Sequence, residues 1–137
     1  MAEDTLRTVD IERIGTGRYL ARNPRGVEIS IGADDFSPVE LLLAAIASCT
    51  ATDADIATSR HTEPDTFTVT ATGDKIQDDH GNHLVNLTVT FEVTFPKGAK
   101  GDAARAILPR AIKLSHDKLC TVSRTMALGT PVTSVIS

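Results

Sequence analysis

Two cysteines are the residues of this chain best suited to chemistry. Cys49 lies in a long apolar segment and Cys120 lies near the carboxyl end, and the sequence holds no others. A disulfide framework in a small secreted domain usually uses four or more cysteines, so a single pair is more typical of redox chemistry or of simple burial. The two are too far apart in sequence for a CxxC redox motif or a zinc knuckle. Redox-active thiols and buried core thiols therefore remain as the two interpretations.

A reactive cysteine must ionise, because the thiolate is the nucleophile and an ordinary thiol is mostly protonated at neutral pH. Cys49 is far from the amino end of its predicted helix, so the dipole of that helix cannot stabilise a thiolate there. Asp53 follows one helical turn later and would oppose ionisation. A cation from elsewhere in the fold is then needed. Three arginines of the amino-terminal third are candidates: Arg18, Arg22 and Arg25.

Cys120 has different surroundings. It follows a predicted helix and precedes Thr-Val-Ser-Arg-Thr-Met, so it could begin another helical turn, where free backbone N–H groups lower the pKa of a thiol. His116 is either a base for this thiol or an ordinary histidine stabilised by a helix carboxyl end, and the second interpretation is favoured. From the residues alone, we expect Cys120 to be the more acidic of the two thiols.

Glu40 also has two interpretations. The run Ser37-Pro-Val-Glu40 has the form of a capping box, in which the serine and the glutamate exchange hydrogen bonds at the start of a helix. The same carboxylate could instead orient an arginine beside Cys49. The capping role is favoured, and the two roles do not exclude each other.

Composition limits the partners of this chain. Its 137 residues are the size of one domain, and we expect a single domain over residues 1–137. A net charge of −4 provides no basic field for nucleic acid. The longest apolar run, residues 41–47, is too short to cross a membrane, and the amino end does not resemble a secretory signal. His80 and His83 lie in a wholly polar segment with no evident third ligand. We expect a cytoplasmic protein with no metal, no cofactor, and no nucleic-acid or membrane partner.

The spacing of apolar residues predicts several strands. Alternation in the first third of the chain predicts a small antiparallel meander. Two longer alternating segments, Thr66–Ala71 and Leu84–Phe95, predict a hairpin whose loop includes residues 78–83. A last strand is predicted over Pro131–Ile136.

Helices are predicted between these strands, which makes the chain α+β. The first runs from about Glu40 to Ser59 and carries Cys49, and the second runs from about Asp102 to Lys118. A turn or a short helix is predicted over residues 121–128, directly after Cys120. Because the first helix is apolar on all faces in its first half, it must be buried on every side. One small sheet and one other helix cannot cover it, so we expect an obligate dimer.

Two motifs make the chain resemble a known family. They are Ser-Pro-x-Glu-Leu-Leu-Leu-Ala-Ala-x-Ala-x-Cys49 and Ser-His-x-Lys-x-Cys120-x-Val-Ser123. With the order of the elements, they resemble the OsmC/Ohr superfamily over essentially the whole chain. The resemblance implies antiparallel sheets wrapped around two central helices in an intertwined homodimer, with each active site at the subunit interface. Val39 and Thr121 depart from the best-characterised hydroperoxide branch, so the sequence is similar to a less-characterised branch, the OsmC-like proteins.

The resemblance further implies a thiol peroxidase that reduces organic hydroperoxides in the oxidative stress response. Cys49 would attack the peroxide as a thiolate and become a sulfenic acid, and Cys120 would condense with it to a disulfide. Small thiols or lipoyl-type dithiols would regenerate the pair. By its position after the Gly-x-Gly turn, Arg18 would activate Cys49, and Glu40 would hold that arginine.

A second hypothesis belongs to a different class of protein. The chain could keep the fold as a non-catalytic stress protein and bind a small apolar molecule in the cleft at the subunit interface. Its cysteines would then be core residues, since free cysteine is among the most buried residue types. Loss of free thiols at near-stoichiometric peroxide would support the enzyme, whereas two inert thiols would support the binding protein.

Overall fold

The computed structural model describes residues 5–32 and 34–137. These residues contain three α-helices, one π-helical turn and two antiparallel sheets, so the predicted α+β class is confirmed. The chain separates into two compact units, Met1–Leu42 and Leu43–Ser137.

The first unit contains the predicted meander. Strands β1 (Asp10–Gly15), β2 (Arg18–Arg22) and β3 (Glu28–Ile31) pair antiparallel in that order. Gly17 turns the chain between β1 and β2 with a φ of 67°, a left-handed conformation that glycine adopts without strain. The side-chain oxygen of Asn23 accepts backbone N–H groups of the next turn, which closes the loop before β3.

Helix α1 spans Pro38–Ser59 and begins with the predicted capping box. Ser37 N–H donates to Glu40 Oε1 at 2.8 Å, and Glu40 N–H donates to Ser37 Oγ at 3.1 Å. This exchange satisfies two backbone donors that the first turn of a helix leaves unpaired. The capping role of Glu40 is therefore confirmed.

Within a single chain, α1 buries one stripe of residues. Most of the stripe recurs at every fourth position, as expected for one helix face, and consists of Ile46, Ala47, Thr50, Ala54 and Thr58. Other apolar side chains of α1 stay exposed, among them Val39 and Ile56. Burial of the remaining faces by a second copy stays a prediction.

The second unit contains a long hairpin of β4 (Thr66–Asp78) and β5 (Gly81–Thr94). Both strands run further toward the turn than predicted, so the loop predicted over 78–83 shrinks to residues 79 and 80. The polar residues near the turn continue the ladder because backbone pairing does not require an apolar face. Toward the end of the hairpin that is away from the turn, the rings of Phe67 and Phe91 meet edge to face with centroids 6.4 Å apart.

Helix α2 (Ala99–Leu114) follows the hairpin and leads into a π-helical turn, Ser115–Leu119. Helix α3, Thr121–Leu128, begins directly after Cys120, as the sequence predicted. The strand predicted over Pro131–Ile136 is wrong, since residues 130–137 form no regular structure. A strand needs a neighbour for its backbone hydrogen bonds, and this segment pairs with no described strand of the chain.

Candidate active site

The sulfurs of Cys49 and Cys120 are hydrogen-bonded to each other. Both residues are free thiols. Cys49 is half-buried on α1, whereas Cys120 is fully buried between the π-helical turn and α3. The structure thus brings together the two residues that the sequence singles out, although they are far apart along the chain.

The amino end of α3 faces both sulfurs. Cys120 is its N-cap residue, and its Sγ accepts the Ser123 N–H at 3.3 Å. The Val122 N–H donates to Cys49 Sγ. Because the first N–H groups of a helix have no partner within it, they are suited to hold negative charge on a sulfur. The position of Cys49 in the sequence predicts no contribution from the dipole of α1, and it does not indicate the contact with this second helix.

Burial raises the pKa of the Cys49 thiol. Its hydrogen bond to Cys120 raises the pKa further, because this bond is made by the protonated form of Cys49. The Val122 N–H opposes these effects, and the negative charges of Cys120 and Asp53 add to them. The expected opposition of Asp53 to ionisation is confirmed, and the pKa of Cys49 is raised overall.

Burial also acts to raise the pKa of Cys120, but hydrogen bonds outweigh it and the pKa is lowered. The donors are the Cys49 thiol, the hydroxyl and the N–H of Ser123, and the Thr50 hydroxyl. Each donates to the sulfur and so favours its charged form. The prediction that Cys120 is the more acidic thiol is confirmed.

A second polar contact joins the segments that carry the cysteines. Ser115 Oγ donates to Asp53 Oδ2 at 2.6 Å, and Ser115 is fully buried. Asp53 lies one turn after Cys49 on α1. The carbonyl oxygen of Ser115 in turn accepts the Cys120 N–H at 2.7 Å, across the π-helical turn. Ser115 is therefore hydrogen-bonded directly to the backbone of Cys120, and through its side chain to Asp53, which lies one helical turn from Cys49.

A cavity of about 470 Å³ is lined by two residues that neighbour the cysteines, Thr50 and Ser123, although neither cysteine is part of its wall. Thr50 and Ser123 line it and also hydrogen-bond to Cys120. Most of the remaining wall is apolar, formed by side chains such as Ile46, Leu87, Val89, Phe91 and Met126, and His116 adds a polar group. Such a cavity suits an apolar molecule with a polar end directed toward Thr50 and Ser123.

Arg18 and Glu40 lie in the first unit and are not paired with each other. Arg18 is exposed on β2, and Glu40 is exposed at the start of α1. No hydrogen bond or ion pair joins them within residues 5–32 and 34–137. Of the other candidate arginines, Arg22 is paired with Glu28 across the β2–β3 ladder at 2.7 Å, and Arg25 is exposed in the turn before β3.

The histidines of the hairpin lie next to its turn. His83 Nδ1 is 3.7 Å from Asp78 Oδ1 and 3.1 Å from the Gly81 carbonyl oxygen. His80 is exposed. Over the described part of the chain, no group of three His, Cys, Asp or Glu residues is arranged to hold a metal ion.

The sequence places this chain in a family. The family model described as OsmC-like protein matches residues 31–135, which include both cysteine motifs. The chain belongs to the OsmC-like family.

Relatives resemble this chain over nearly their whole length. An uncharacterised protein of Mycobacterium tuberculosis is 30% identical over 127 residues, which cover 89% of this chain and 90% of the relative. Among solved structures, a hypothetical protein from Aquifex aeolicus has a TM-score of 0.73 at 23% identity, with 91% of this chain and 89% of that chain covered. An OsmC-like protein of unknown function from Vibrio cholerae has a TM-score of 0.71 at 14% identity, with 88% and 93% covered. These two structures show that the fold is shared.

The OsmC-like fold is a soluble domain. By length and composition alone, α1 would pass as a membrane-spanning helix, with a mean hydropathy of 1.3 over its most apolar window. The uninterrupted apolar run, residues 41–47, is much shorter than this window because polar residues such as Ser48 and Thr50 interrupt it. Core helices of soluble proteins have the same properties, so the length and composition of α1 are weak evidence for a membrane span.

Three residues of the site had no role in the sequence analysis: Thr50, Ser115 and Ser123. Ser115 and Ser123 stand inside the second OsmC-like motif, so the pattern contained them without showing what they do. Thr50 directly follows Cys49. Their hydroxyl groups act through contacts between α1, the π-helical turn and α3, and no spacing within one element predicts such contacts.

Proposed function

We propose that this protein is a thiol-dependent peroxidase of the cytoplasm that reduces organic hydroperoxides by a two-cysteine cycle, as part of oxidative stress defence. One observation carries the proposal. Two free thiols are hydrogen-bonded to each other beside a largely apolar cavity, and one of them is held in a setting that favours its thiolate. Buried cysteines that serve only as core residues do not need four donors directed at one sulfur.

Cys49 is the thiol attacked first in this proposal. It is half-buried, whereas Cys120 has no exposed surface, and a peroxide must reach the sulfur that it oxidises. The Cys120 thiolate serves as the proton acceptor for Cys49, because it already accepts the Cys49 S–H hydrogen bond.

The first step forms a bond between Cys49 Sγ and the terminal oxygen of the hydroperoxide, and the O–O bond breaks. The Cys49 proton passes to Cys120 and from there to the leaving alkoxide, which departs as an alcohol. Cys49 is now a sulfenic acid and Cys120 is again a thiolate. Cys120 then attacks the Cys49 sulfur and expels hydroxide, which leaves a disulfide. The peroxide is reduced by two electrons and the two thiols are oxidised by two.

The reductant that reopens this disulfide is proposed to be a small thiol or a lipoyl-type dithiol, as in the superfamily that the chain resembles. Two thiols are needed in either case, since one forms a mixed disulfide and the other releases it. The organic part of the substrate is assigned to the apolar wall of the cavity, which favours an alkyl hydroperoxide over hydrogen peroxide.

The functional unit is proposed to be an intertwined homodimer of single-domain chains. Exposed apolar side chains support a second copy, both on α1 and in the carboxyl-terminal segment, where Val132, Val135 and Ile136 are 84–99% exposed. Arg18 is proposed as the cation that activates Cys49. Glu40 uses one carboxylate oxygen in its capping box, and its second oxygen is proposed to orient Arg18.

Titration of the reduced protein with cumene hydroperoxide, followed by counting of free thiols, tests the function. We expect two thiols to be lost for each peroxide added, and dithiothreitol to restore them. Cys49→Ser should abolish the loss, and Cys120→Ser should prevent disulfide formation. Hydrogen peroxide is the control oxidant and should react more slowly.

The alternative function is a non-catalytic stress protein that binds a small apolar molecule, and the apolar cavity is the observation that favours it. Two thiols that stay free at near-stoichiometric cumene hydroperoxide would overturn the peroxidase. Displacement of a fluorescent apolar probe, together with those inert thiols, would support the binding protein.

A further inference from the structure

The hydrogen bond between Asp53 and Ser115 joins the two segments of chain that carry the cysteines. Asp53 follows Cys49 by one turn of α1, and Ser115 opens the π-helical turn that ends before Cys120. Their side chains meet at 2.6 Å, a short distance for a hydroxyl that donates to a carboxylate. Such a bond is about twice as strong as one between neutral groups.

Ser115 is fixed by its backbone as well as by its side chain. Its N–H donates to the carbonyl oxygens of Ala111 and Ile112, which close the end of α2. Its carbonyl oxygen accepts the Cys120 N–H at 2.7 Å, the bond that closes the π-helical turn. A shift of Ser115 therefore moves the backbone of Cys120.

The carboxylate at position 53 does more than fill space. Among the ion pairs of the described residues, none involves Asp53, so its charge faces the thiol pair uncompensated. That charge helps to raise the pKa of Cys49 and so opposes formation of the Cys49 thiolate. Because this charge acts against Cys49, the feature of Asp53 that serves the site is the hydrogen bond that its carboxylate oxygen accepts from Ser115.

We propose that Asp53 and Ser115 are positioning residues that hold Cys49 and Cys120 at the separation required for disulfide closure. The two residues are called the Asp53–Ser115 clamp below. A disulfide forms only in a narrow range of distances and angles between two residues, and small displacements of reacting groups lower intramolecular rates and equilibria strongly. The clamp acts on closure of the disulfide and not on attack of the peroxide. Its role in a catalytic cycle rests on the proposed peroxidase function, but closure itself needs no peroxide.

Equilibration of the purified protein with mixtures of reduced and oxidised glutathione measures closure directly. In this exchange, two glutathione thiols reduce the protein disulfide to two thiols and become glutathione disulfide, so the equilibrium ratio reports the effective concentration of one protein thiol at the other. We expect Asp53→Ala and Ser115→Ala each to lower this effective concentration by roughly tenfold, on the scale of one charged hydrogen bond. The double variant should lose little more than either single variant, because the two residues act as one unit.

Asp53→Asn is the matched control. Its amide oxygen still accepts the Ser115 hydroxyl while its charge is removed, so we expect closure near that of the unchanged protein and a lower pKa for Cys49. Asp53→Glu keeps the charge and displaces the carboxylate by one methylene group. It should weaken closure, and it tests the geometry where an alanine variant does not fold, as judged by urea unfolding of the reduced protein.

The clamp would be overturned if the effective concentration for disulfide closure were unchanged in Asp53→Ala, Asp53→Glu and Ser115→Ala. It would also be overturned if Asp53→Asn lowered this effective concentration as much as Asp53→Ala, because the charge of Asp53 and not its hydrogen bond would then support closure. Failure of the peroxidase function is a separate result: the unchanged protein would close its disulfide in glutathione mixtures yet ignore cumene hydroperoxide.

Discussion

Cys49 donates a hydrogen bond to Cys120, and this direction gives the two thiols different roles. The pKa of the donor, Cys49, is raised, and the pKa of the acceptor, Cys120, is lowered. The pKa of Cys120 is lowered by hydrogen bonds from the Cys49 thiol, from Ser123 at the amino end of α3 and from the Thr50 hydroxyl. In the proposed cycle the second cysteine is therefore the thiol that ionises first.

Titration of the reduced protein should show two separate thiols. We expect one to ionise below its ordinary pKa and the other above it, because the pair shares one proton. The ultraviolet absorbance of the thiolate, followed against pH, measures both. Cys120→Ser should remove the lower transition, and Cys49→Ala should raise it by removing a donor to Cys120. A lower transition that survives in Cys120→Ser would reverse the assignment.

Thr50→Val should raise the pKa of Cys120, because it removes a hydroxyl donor and keeps the shape of the side chain. The loss of one hydrogen bond of about 1 kcal/mol should slow peroxide reduction by roughly fivefold. Stopped-flow consumption of cumene hydroperoxide provides the rate, and Thr50→Ser, which keeps the hydroxyl, is the control. Equal rates for the valine and serine variants would show that the Thr50 hydroxyl does not support the thiolate.

Arg18→Ala should leave folding nearly intact, since Arg18 is exposed on β2. If Arg18 activates Cys49, its removal should raise the pKa of Cys49 and slow peroxide reduction. Arg110, exposed on α2, offers a matched substitution, Arg110→Ala, that should change neither. A peroxide rate in Arg18→Ala equal to that of the unchanged protein would leave Cys120 as the group that activates Cys49.

Sedimentation at micromolar concentration should show a dimer. Replacement of Val135 and Ile136 by Asp should weaken it, because both side chains are at least 84% exposed in one chain and are expected to be covered by a second copy. Substitution of the exposed Thr133 by Asp is the control for added charge. A folded monomer in the unchanged protein would contradict the obligate dimer.

The parts of the structure that could be predicted from the sequence depend on local patterns. The capping box at Ser37 and Glu40 lies within four residues, and the turn or short helix after Cys120 is predicted from the run Thr-Val-Ser-Arg-Thr-Met that follows it. The motifs around the two cysteines also predicted the family. In each case the signal and the structure that it specifies lie in one segment of chain.

The parts that were missed depend on contacts between segments. Ser115 is an unremarkable polar residue until its hydroxyl meets Asp53, which lies on another helix. The alternation over Pro131–Ile136 is typical of a strand, but a strand also needs a neighbour, which the pattern does not provide. The predicted hairpin is shorter than the observed one. Asp78 and Gly81 pair through the backbone, and their segment has no apolar alternation that would indicate a strand.

The π-helical turn before Cys120 can take up a change in the length of the chain. A π-helical turn contains one residue more than an α-helix needs for the same advance. In this turn the Cys120 N–H donates to the Ser115 carbonyl oxygen, five residues earlier. Deletion of Leu119 would bring the two groups to the four-residue spacing of an α-helix, and the same bond could close a regular turn. A chain of this family that lacks this one residue should therefore be expected to keep its cysteine pair and its disulfide chemistry.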